Sequence, residues 1–368
     1  MRRVLITGGA GFLGANFTHY WLARHSGDRV VVFDALTYAG NRTSLAAVEA
    51  NPNFRFVHGD LRNAEAVETV MGEEDIDLVV HFAAETHVDR SIDDPDAFVT
   101  TNVVGTHNLL RAARSLWHNR PARDTAPRFH HVSTDEVYGA LRPEEPPFTE
   151  ATAYAPSSPY AASKAAADHL VRAYHRTYGL PTTISNCSNC FGPYQYPEKL
   201  IPLVIIHLLG GRPLPLYGDG GQVRDWLHAA DHCRGVALAI ERGVPGQTYN
   251  LGGANERRNL ETVRMLCNLV DEAFAGDPAL GRRFPDAPAA NRKESTSLIT
   301  FVPDRPGHDR RYAVEAAKAR CELGFDPGMD FNAGLRETLD WYLTNEPWWN
   351  AILDDDRYRS WIAAQYSR

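Results

Sequence analysis

Six short apolar runs, Val4–Thr7, Val30–Phe33, Phe54–His58, Leu78–Phe82, Phe129–Ser133 and Thr182–Asn186, alternate with longer helix-forming stretches through the first half of this 368-residue chain. Runs of four or five residues are too short for core helices, and strands buried on both faces read as continuous rather than alternating hydrophobicity. The rhythm predicts an α/β fold, a doubly wound parallel sheet with helices on both sides. Ligands of such sheets gather at the carboxyl ends of the strands. Here those ends carry Gly8, Asp34, Asp60, Ala83 and Thr134, so one cleft is expected to collect all five.

The first strand runs into GGAGFLG. Gly8, Gly11 and Gly14 there let the backbone approach a pyrophosphate and aim helix N-terminal amides at it. The next strand ends in Asp34, where a carboxylate can accept bonds from both hydroxyls of an adenosine ribose. Together these point to a Rossmann-type dinucleotide site, with NAD favoured over NADP because Asp34 repels a 2′-phosphate. Arg42 is the one nearby residue that argues the other way. Asp60 reads equally well as an adenine contact or as the cap of the following helix.

After Cys187 the pattern breaks into Pro- and Gly-punctuated segments, which predicts a second, smaller substrate-binding lobe. The division expected is 1–186 for the NAD-binding domain, with a return of the chain to it around 228–250, and 187–368 for the mainly substrate-binding domain. The stretch Asp277–Ser297 reads as a surface loop. A net charge of -8 argues against nucleic acid as a partner. The longest apolar run, Leu200–Leu209, is short of the ~20 residues of a membrane span, so no membrane partner is expected. The amino-terminal arginines lead into a strand rather than a signal core, and five cysteines form no evident disulfide framework; the expected location is cytoplasmic.

Tyr160 and Lys164 stand four residues apart in PYAASK, one helical turn on one face, with Pro159 at the first turn and Gly179 beyond the end. A tyrosine titrates near ~10, so use as a base near neutrality requires a shift of roughly 3 units from nearby cations. Lys164 and a nicotinamide ring are expected to supply that field. The fifth strand ends in STDEVYG, bringing Thr134, Asp135 and Glu136 to the same sheet edge. A simple alcohol oxidation has no use for two adjacent carboxyls, whereas elimination of water beside a carbonyl needs a base and an acid.

With these residues placed, the chain resembles the extended short-chain dehydrogenase/reductase family, and within it the 4,6-dehydratase branch acting on dTDP-glucose. The resemblance rests on GGAGFLG, FDALTYAG, FAAETHVDRS, STDEVYG, PYAASKAAADHLVRAYHRTYGLP, NCSN, GPYQYPEKLIPL, PLYGDGGQVRDWL and DRPGHDRRY, in the family's order through nearly the whole chain. It implies an NAD-dependent hydro-lyase of deoxysugar biosynthesis, dTDP-glucose as substrate, and a homodimer formed through helices near Thr101–Trp117 and Tyr160–Tyr178. It further implies that Tyr160 deprotonates the sugar C4 hydroxyl as hydride leaves for NAD, with Thr134 on the same oxygen and Lys164 holding Tyr160 and the nicotinamide ribose. Glu136 takes the C5 proton, Asp135 protonates the departing C6 hydroxyl, and hydride returns to C6. Phe12, Leu13, Ala35, Leu36, Thr37, Leu61, Ala83, Ala84, Thr101 and Asn189 are implied to line the cofactor. Thr86, Thr134, Asn189, Lys199, Leu200, Pro215, Tyr217, Arg224, Asn259, Arg305 and His308 are implied to hold the nucleotide sugar, with Arg224 clamping the diphosphate.

One departure stands out. Where the family usually reads NCSNNYGP, this chain has Cys190 and Phe191, which also creates a Cys187-x-x-Cys190 spacing. A zinc or redox site would need further ligands or a thioredoxin-like context, and neither is visible, so no metal is expected. The alternatives to dehydration are an epimerase or decarboxylase of the same family, or a catalytically silent sensor of NAD and sugar nucleotides.

Overall fold

The computed structural model describes residues 1–118 and 125–365. Among them run twelve strands: β1 (Arg3–Thr7), β2 (Arg29–Asp34), β3 (Phe54–His58), β4 (Leu78–His81), β5 (Arg128–Thr134), β6 (Thr182–Cys187), β7 (Asn189–Phe191), β8 (Leu214–Tyr217), β9 (Val223–His228), β10 (Thr248–Leu251), β11 (Glu256–Arg258) and β12 (Ile299–Val302). Seven of them form one parallel sheet in the order β10-β6-β5-β4-β1-β2-β3. All six apolar runs of the sequence are strands of this sheet.

Its inner strands are buried on both sides, while the edge strand β3 is partly exposed. Val4, Ile6, Val30, Val32, Leu78 and Val80 face one apolar cluster, while Leu5, Val31, Phe33, Val79, Phe129 and Ile184 face another. Burying a Val, Leu or Ile side chain contributes about 1.5–3 kcal/mol, so this central sandwich is the rigid part on which strand-end residues are hung. Order reverses between β1 and β4, the crevice where doubly wound sheets bind ligands.

The helices Ala229–Glu241 and Ala317–Leu323 join the core of this sheet, and a smaller assembly has its own core, in which the helices Leu200–Leu209, Asn259–Gly276 and Phe331–Thr344 pack together. Two small sheets accompany it, β11-β9-β7 and β12-β8. Residues Ile201–Leu209 are all buried here, which accounts for the long apolar run. No helix among the described residues is long and apolar enough to cross a membrane. The stretch Asp277–Ser297 is not a plain surface loop. It forms a helix, Pro278–Arg283, and two short 3-10 turns, and it inserts Leu280, Phe284 and Ala287 into the second core. Its apolar residues are too widely spaced to show a helical period, because each short turn contributes only one or two anchors.

Candidate active site

A cavity of about 340 Å³ opens along the carboxyl ends of the central strands, and Gly8, Asp34, Asp60, Ala83 and Thr134 all line it. At its base the backbone leaves β1 through Gly8, whose φ of +68° is a left-handed conformation suited to glycine. A side chain on Gly14 would come 2.1 Å from the Gly8 carbonyl oxygen, so helix Phe12–Arg24 packs this close to the turn only with glycine there. Gly11, Phe12, Leu13 and Gly14 complete this wall.

Asp34 is fixed rather than free to swing. Its Oδ2 accepts from the Ala10 amide at 2.9 Å and its Oδ1 from the Leu36 amide at 2.8 Å. Burial raises its pKa, and the two amides oppose that shift. Ala35 and Thr37 line the cavity beside it; Leu36, at φ +50°, does not. Arg42 is engaged elsewhere, paired with Glu49 at 3.0 Å and stacked over Phe56. Asp60 is not a helix cap, because Asn63 takes that place by accepting from the Ala66 amide. Instead Asp60 pairs with Arg62 at 2.6 Å, and that bond holds its carboxyl below the usual range. Leu61, Ala84, Thr86 and Thr101 lie on the same walls. A glycine cradle and an anchored acid on the next strand fit a dinucleotide with free ribose hydroxyls.

Across the cavity stand Thr134, Asp135, Glu136, Tyr160 and Lys164. The helix Pro159–Tyr178 is capped by Ser158, whose side chain accepts from the Ala161 amide, and stopped by Gly179 at φ +69°. Tyr160 and Lys164 therefore sit on its first two turns, both buried. Lys164 does not touch the Tyr160 phenol. Its Nζ donates to the Val132 carbonyl at 2.8 Å and lies 3.4 Å from His131 Nε2. Burial brings its pKa down to about 8, against the opposing charge of Asp168. Tyr160 is pushed well above its ordinary value by burial and by Glu136, with the Thr134 hydroxyl pulling the other way. Lys164 is not among the main influences on the Tyr160 phenol, its amine being bonded to β5.

Asp135 is fully buried. Burial first, and Glu136 second, push its carboxyl well above the usual range, and its Oδ2 has no hydrogen-bond partner. Glu136 is also raised by burial, but Arg305, Arg224 and Lys199 oppose the shift. The two neighbouring carboxyls thus feel unequal surroundings, and such inequality separates an acid from a base.

Lys199 and Asn189 line the cavity, and Lys199 Nζ donates to the Thr86 carbonyl at 3.1 Å. Leu200, Pro215, Tyr217, Arg224, Asn259, Arg305 and His308 are not on its walls; they belong to the second lobe beyond Glu136. Arg305 pairs with Asp89 at 2.9 Å, and the Tyr217 hydroxyl donates to the same carboxylate at 3.2 Å. His308 bonds Asp304 at 2.6 Å, and its ring meets that of Tyr217 edge-on. Arg224 is buried, stacked over Tyr312, and donates to the Val223 and Asp309 carbonyls. Asn259 Oδ1 is buried without a partner.

Sequence reasoning missed a second buried group. Asp168 lies one turn beyond Lys164 and accepts from Ser133 at 3.0 Å and Tyr154 at 2.8 Å, with His131 Nε2 at 3.2 Å from its other oxygen. The same four-residue step that linked Tyr160 to Lys164 leads on to Asp168. It also missed His232, which packs beside Cys187 and Cys190.

Residues 5–338 match the sequence family described as GDP-mannose 4,6 dehydratase. The chain is 51% identical over 355 residues to a dTDP-glucose 4,6-dehydratase of Neisseria meningitidis serogroup B, covering 96% of this chain and 97% of that one. It is 48% identical to dTDP-glucose 4,6-dehydratase 1 of Escherichia coli K12, covering 99% of each. Among solved structures it is similar to DesIV, a dTDP-glucose 4,6-dehydratase from Streptomyces venezuelae with NAD and DAU bound. The TM-score there is 0.84 at 44% identity, over 96% of this chain and 100% of that one.

Proposed function

This chain belongs to the GDP-mannose 4,6-dehydratase family, and from that membership we propose that it removes water from dTDP-glucose to give dTDP-4-keto-6-deoxyglucose. It acts as an NAD-dependent hydro-lyase: NAD, held by the glycine turn and Asp34, would supply reversible hydride chemistry between C4 and C6 with none consumed overall. The carrying observation is that Asp135, buried, and Glu136, half-buried, share one cavity with Tyr160 and with the glycine turn. An epimerase or decarboxylase would leave one of those carboxyls without a task.

Gly8, Gly11, Phe12, Leu13 and Gly14 hold the pyrophosphate, and Asp34 holds the adenosine ribose, with Ala35, Leu36, Thr37, Asp60, Leu61, Ala83, Ala84 and Thr101 along the cofactor. Tyr160 is the base toward the C4 hydroxyl, with Thr134 on the same oxygen. Its phenol, raised in the protein alone, becomes competent when a cationic ring lies beside it, because a nearby positive charge favours the phenolate. Lys164 orients the ribose from its seat on β5. Glu136, whose raised carboxyl is opposed by three cations, is the base toward C5; Asp135, raised further and with its Oδ2 lacking a donor, stays protonated and delivers its proton to the C6 hydroxyl. Asn189, Thr86, Lys199, Leu200, Pro215, Tyr217, Arg224, Asn259, Arg305 and His308 receive the nucleotide sugar.

Residues 1–186, with the return of the chain around 228–250, form the cofactor domain, and 187–368 otherwise forms mainly the sugar-nucleotide domain, a division supported by the helix Ala229–Glu241 packing on β5 and β6 and by β10 pairing with β6. The protein works as a homodimer through the helices near Thr101–Trp117 and Tyr160–Tyr178, a reading supported by the exposed Val99, Val104 and Tyr178 along them. Its place is the cytoplasm, in keeping with five free cysteines.

The test is incubation with dTDP-glucose in deuterated water. Deuterium at C5 of the 4-keto product is expected, and its loss in Glu136→Gln; unlabelled product from the unmodified enzyme would sink the elimination route.

A further inference from the structure

The Cys187-x-x-Cys190 spacing lacked a third ligand in the sequence, and the fold supplies one. Cys187 ends β6, Cys190 lies in β7, and His232 stands in the first turn of the helix Ala229–Glu241. One ligand atom from each residue falls within 4.8 Å of the other two. In a tetrahedral zinc site with Zn–S near ~2.3 Å, neighbouring sulfurs are about 3.8 Å apart, so closure needs shifts on the order of an ångström.

A second, independent observation concerns His232. It is fully buried, and no partner within ordinary hydrogen-bond geometry reaches either ring nitrogen, the Cys187 thiol being the polar group that interacts with the ring. Buried imidazole nitrogens are normally satisfied, because leaving one unpaired costs about 1–3 kcal/mol. The thiols make weak contacts with backbone, Cys187 Sγ to the Ser133 carbonyl at 3.3 Å and Cys190 Sγ to the Ser188 carbonyl at 3.5 Å, and Cys187 also interacts with Cys190 and His232. Two thiolates with one neutral imidazole also balance the charge of a dication, so the buried site would carry no net charge.

We infer that Cys187, Cys190 and His232 form a binding site for a thiophilic divalent ion, Zn²⁺, at the edge of the catalytic cavity. Binding deprotonates both thiols and releases two protons, forming two S–Zn bonds and one N–Zn bond. Cys187 and Cys190 line the cavity, which gives the ion an entry path and leaves the fourth position to a water. Soft thiolates with imidazole select zinc over magnesium or calcium. The inference is independent of the reaction proposed above, since it concerns only these three side chains.

The test uses the protein as purified, with its NAD, cleared of metal by a chelator and titrated first with Co²⁺ and then with Zn²⁺. One Co²⁺ per chain is expected, with thiolate-to-cobalt charge-transfer absorption that Zn²⁺ displaces. Cys190→Asn and His232→Gln should each weaken binding at least about 100-fold, beyond the 10–100-fold typical of losing an outer partner. A measurement on the unmodified protein guards against misfolded variants: Zn²⁺ should slow alkylation of Cys190 and leave the exposed Cys321 unaffected. Absence of the charge-transfer band, binding unchanged in both variants, or equal alkylation of Cys190 with and without Zn²⁺ would each overturn the inference.

Discussion

Asp135 and Asp168 are the same residue type, both fully buried, on either side of the Tyr160–Lys164 turn, yet their carboxyls are displaced in opposite directions. Burial pushes each one up. At Asp168 the His131 bond, the Lys164 charge and the Tyr154 hydroxyl more than reverse it, and the carboxyl ends below its ordinary range. Around Asp135 the largest charge effect comes from another carboxyl, Glu136, and its one side-chain donor is the Thr134 hydroxyl at 3.3 Å. Depth therefore does not decide whether an interior acid is ionised; its donors do. One of these acids is built to hold a charge in place, and the other to carry a proton.

The largest effect that tests this contrast is on stability. Asp168→Asn removes the negative partner of a buried cluster and should cost about 3–5 kcal/mol at neutral pH, seen as a lowered urea midpoint. Because the folded pKa of Asp168 is depressed, its contribution is present above the unfolded value of ~3.9 and is lost as pH falls through the folded one, so the two proteins should converge in acid. The same variant should lower the Lys164 pKa further below about 8, since Asp168 is what raises it. The charged amine would then be lost at lower pH, moving the alkaline limb of the kcat profile down.

Next comes turnover. If Asp135 serves as the acid, Asp135→Asn should reduce kcat about 10³-fold, within the range for general acid–base groups. Undiminished turnover would remove it from the proton path. The smallest effect is the most discriminating. A raised folded pKa means that Asp135 favours folding only below its unfolded value and opposes it as pH rises. Asp135→Asn should therefore stabilise the protein by about 1 kcal/mol at pH 8 and by less at pH 5, as sites kept for activity often do. Were both asparagine variants destabilised alike, the contrast between the two acids would fall.

The central sheet was legible because its inner strands are buried on both faces and each ends at a residue with a distinct task. The second lobe was not. β11 is Glu-Arg-Arg, exposed throughout, and β7 is three residues long, so neither shows a period that marks a strand. Within the site, Tyr160 and Lys164 were readable from their spacing, and Asp135 and Glu136 from their strand end. His232 could not be paired with Cys187 and Cys190, because only the packing of its helix against β5 and β6 brings it there. The resting place of the Lys164 amine was equally hidden, since it depends on a backbone carbonyl of β5 rather than on any side-chain pattern.

The outermost strand of the main sheet has a consequence for how the protein is made. β10 pairs with β6 only after Leu251 has left the ribosome, so the sheet waits with an open edge while the intervening second-lobe segments are synthesised. At ~5–20 residues per second that interval is several seconds. Throughout it the backbone of β6 offers unpaired amides and carbonyls to any neighbouring nascent chain. Truncating the gene before β10 would make that transient exposure permanent, and the shortened product should collect in inclusion bodies.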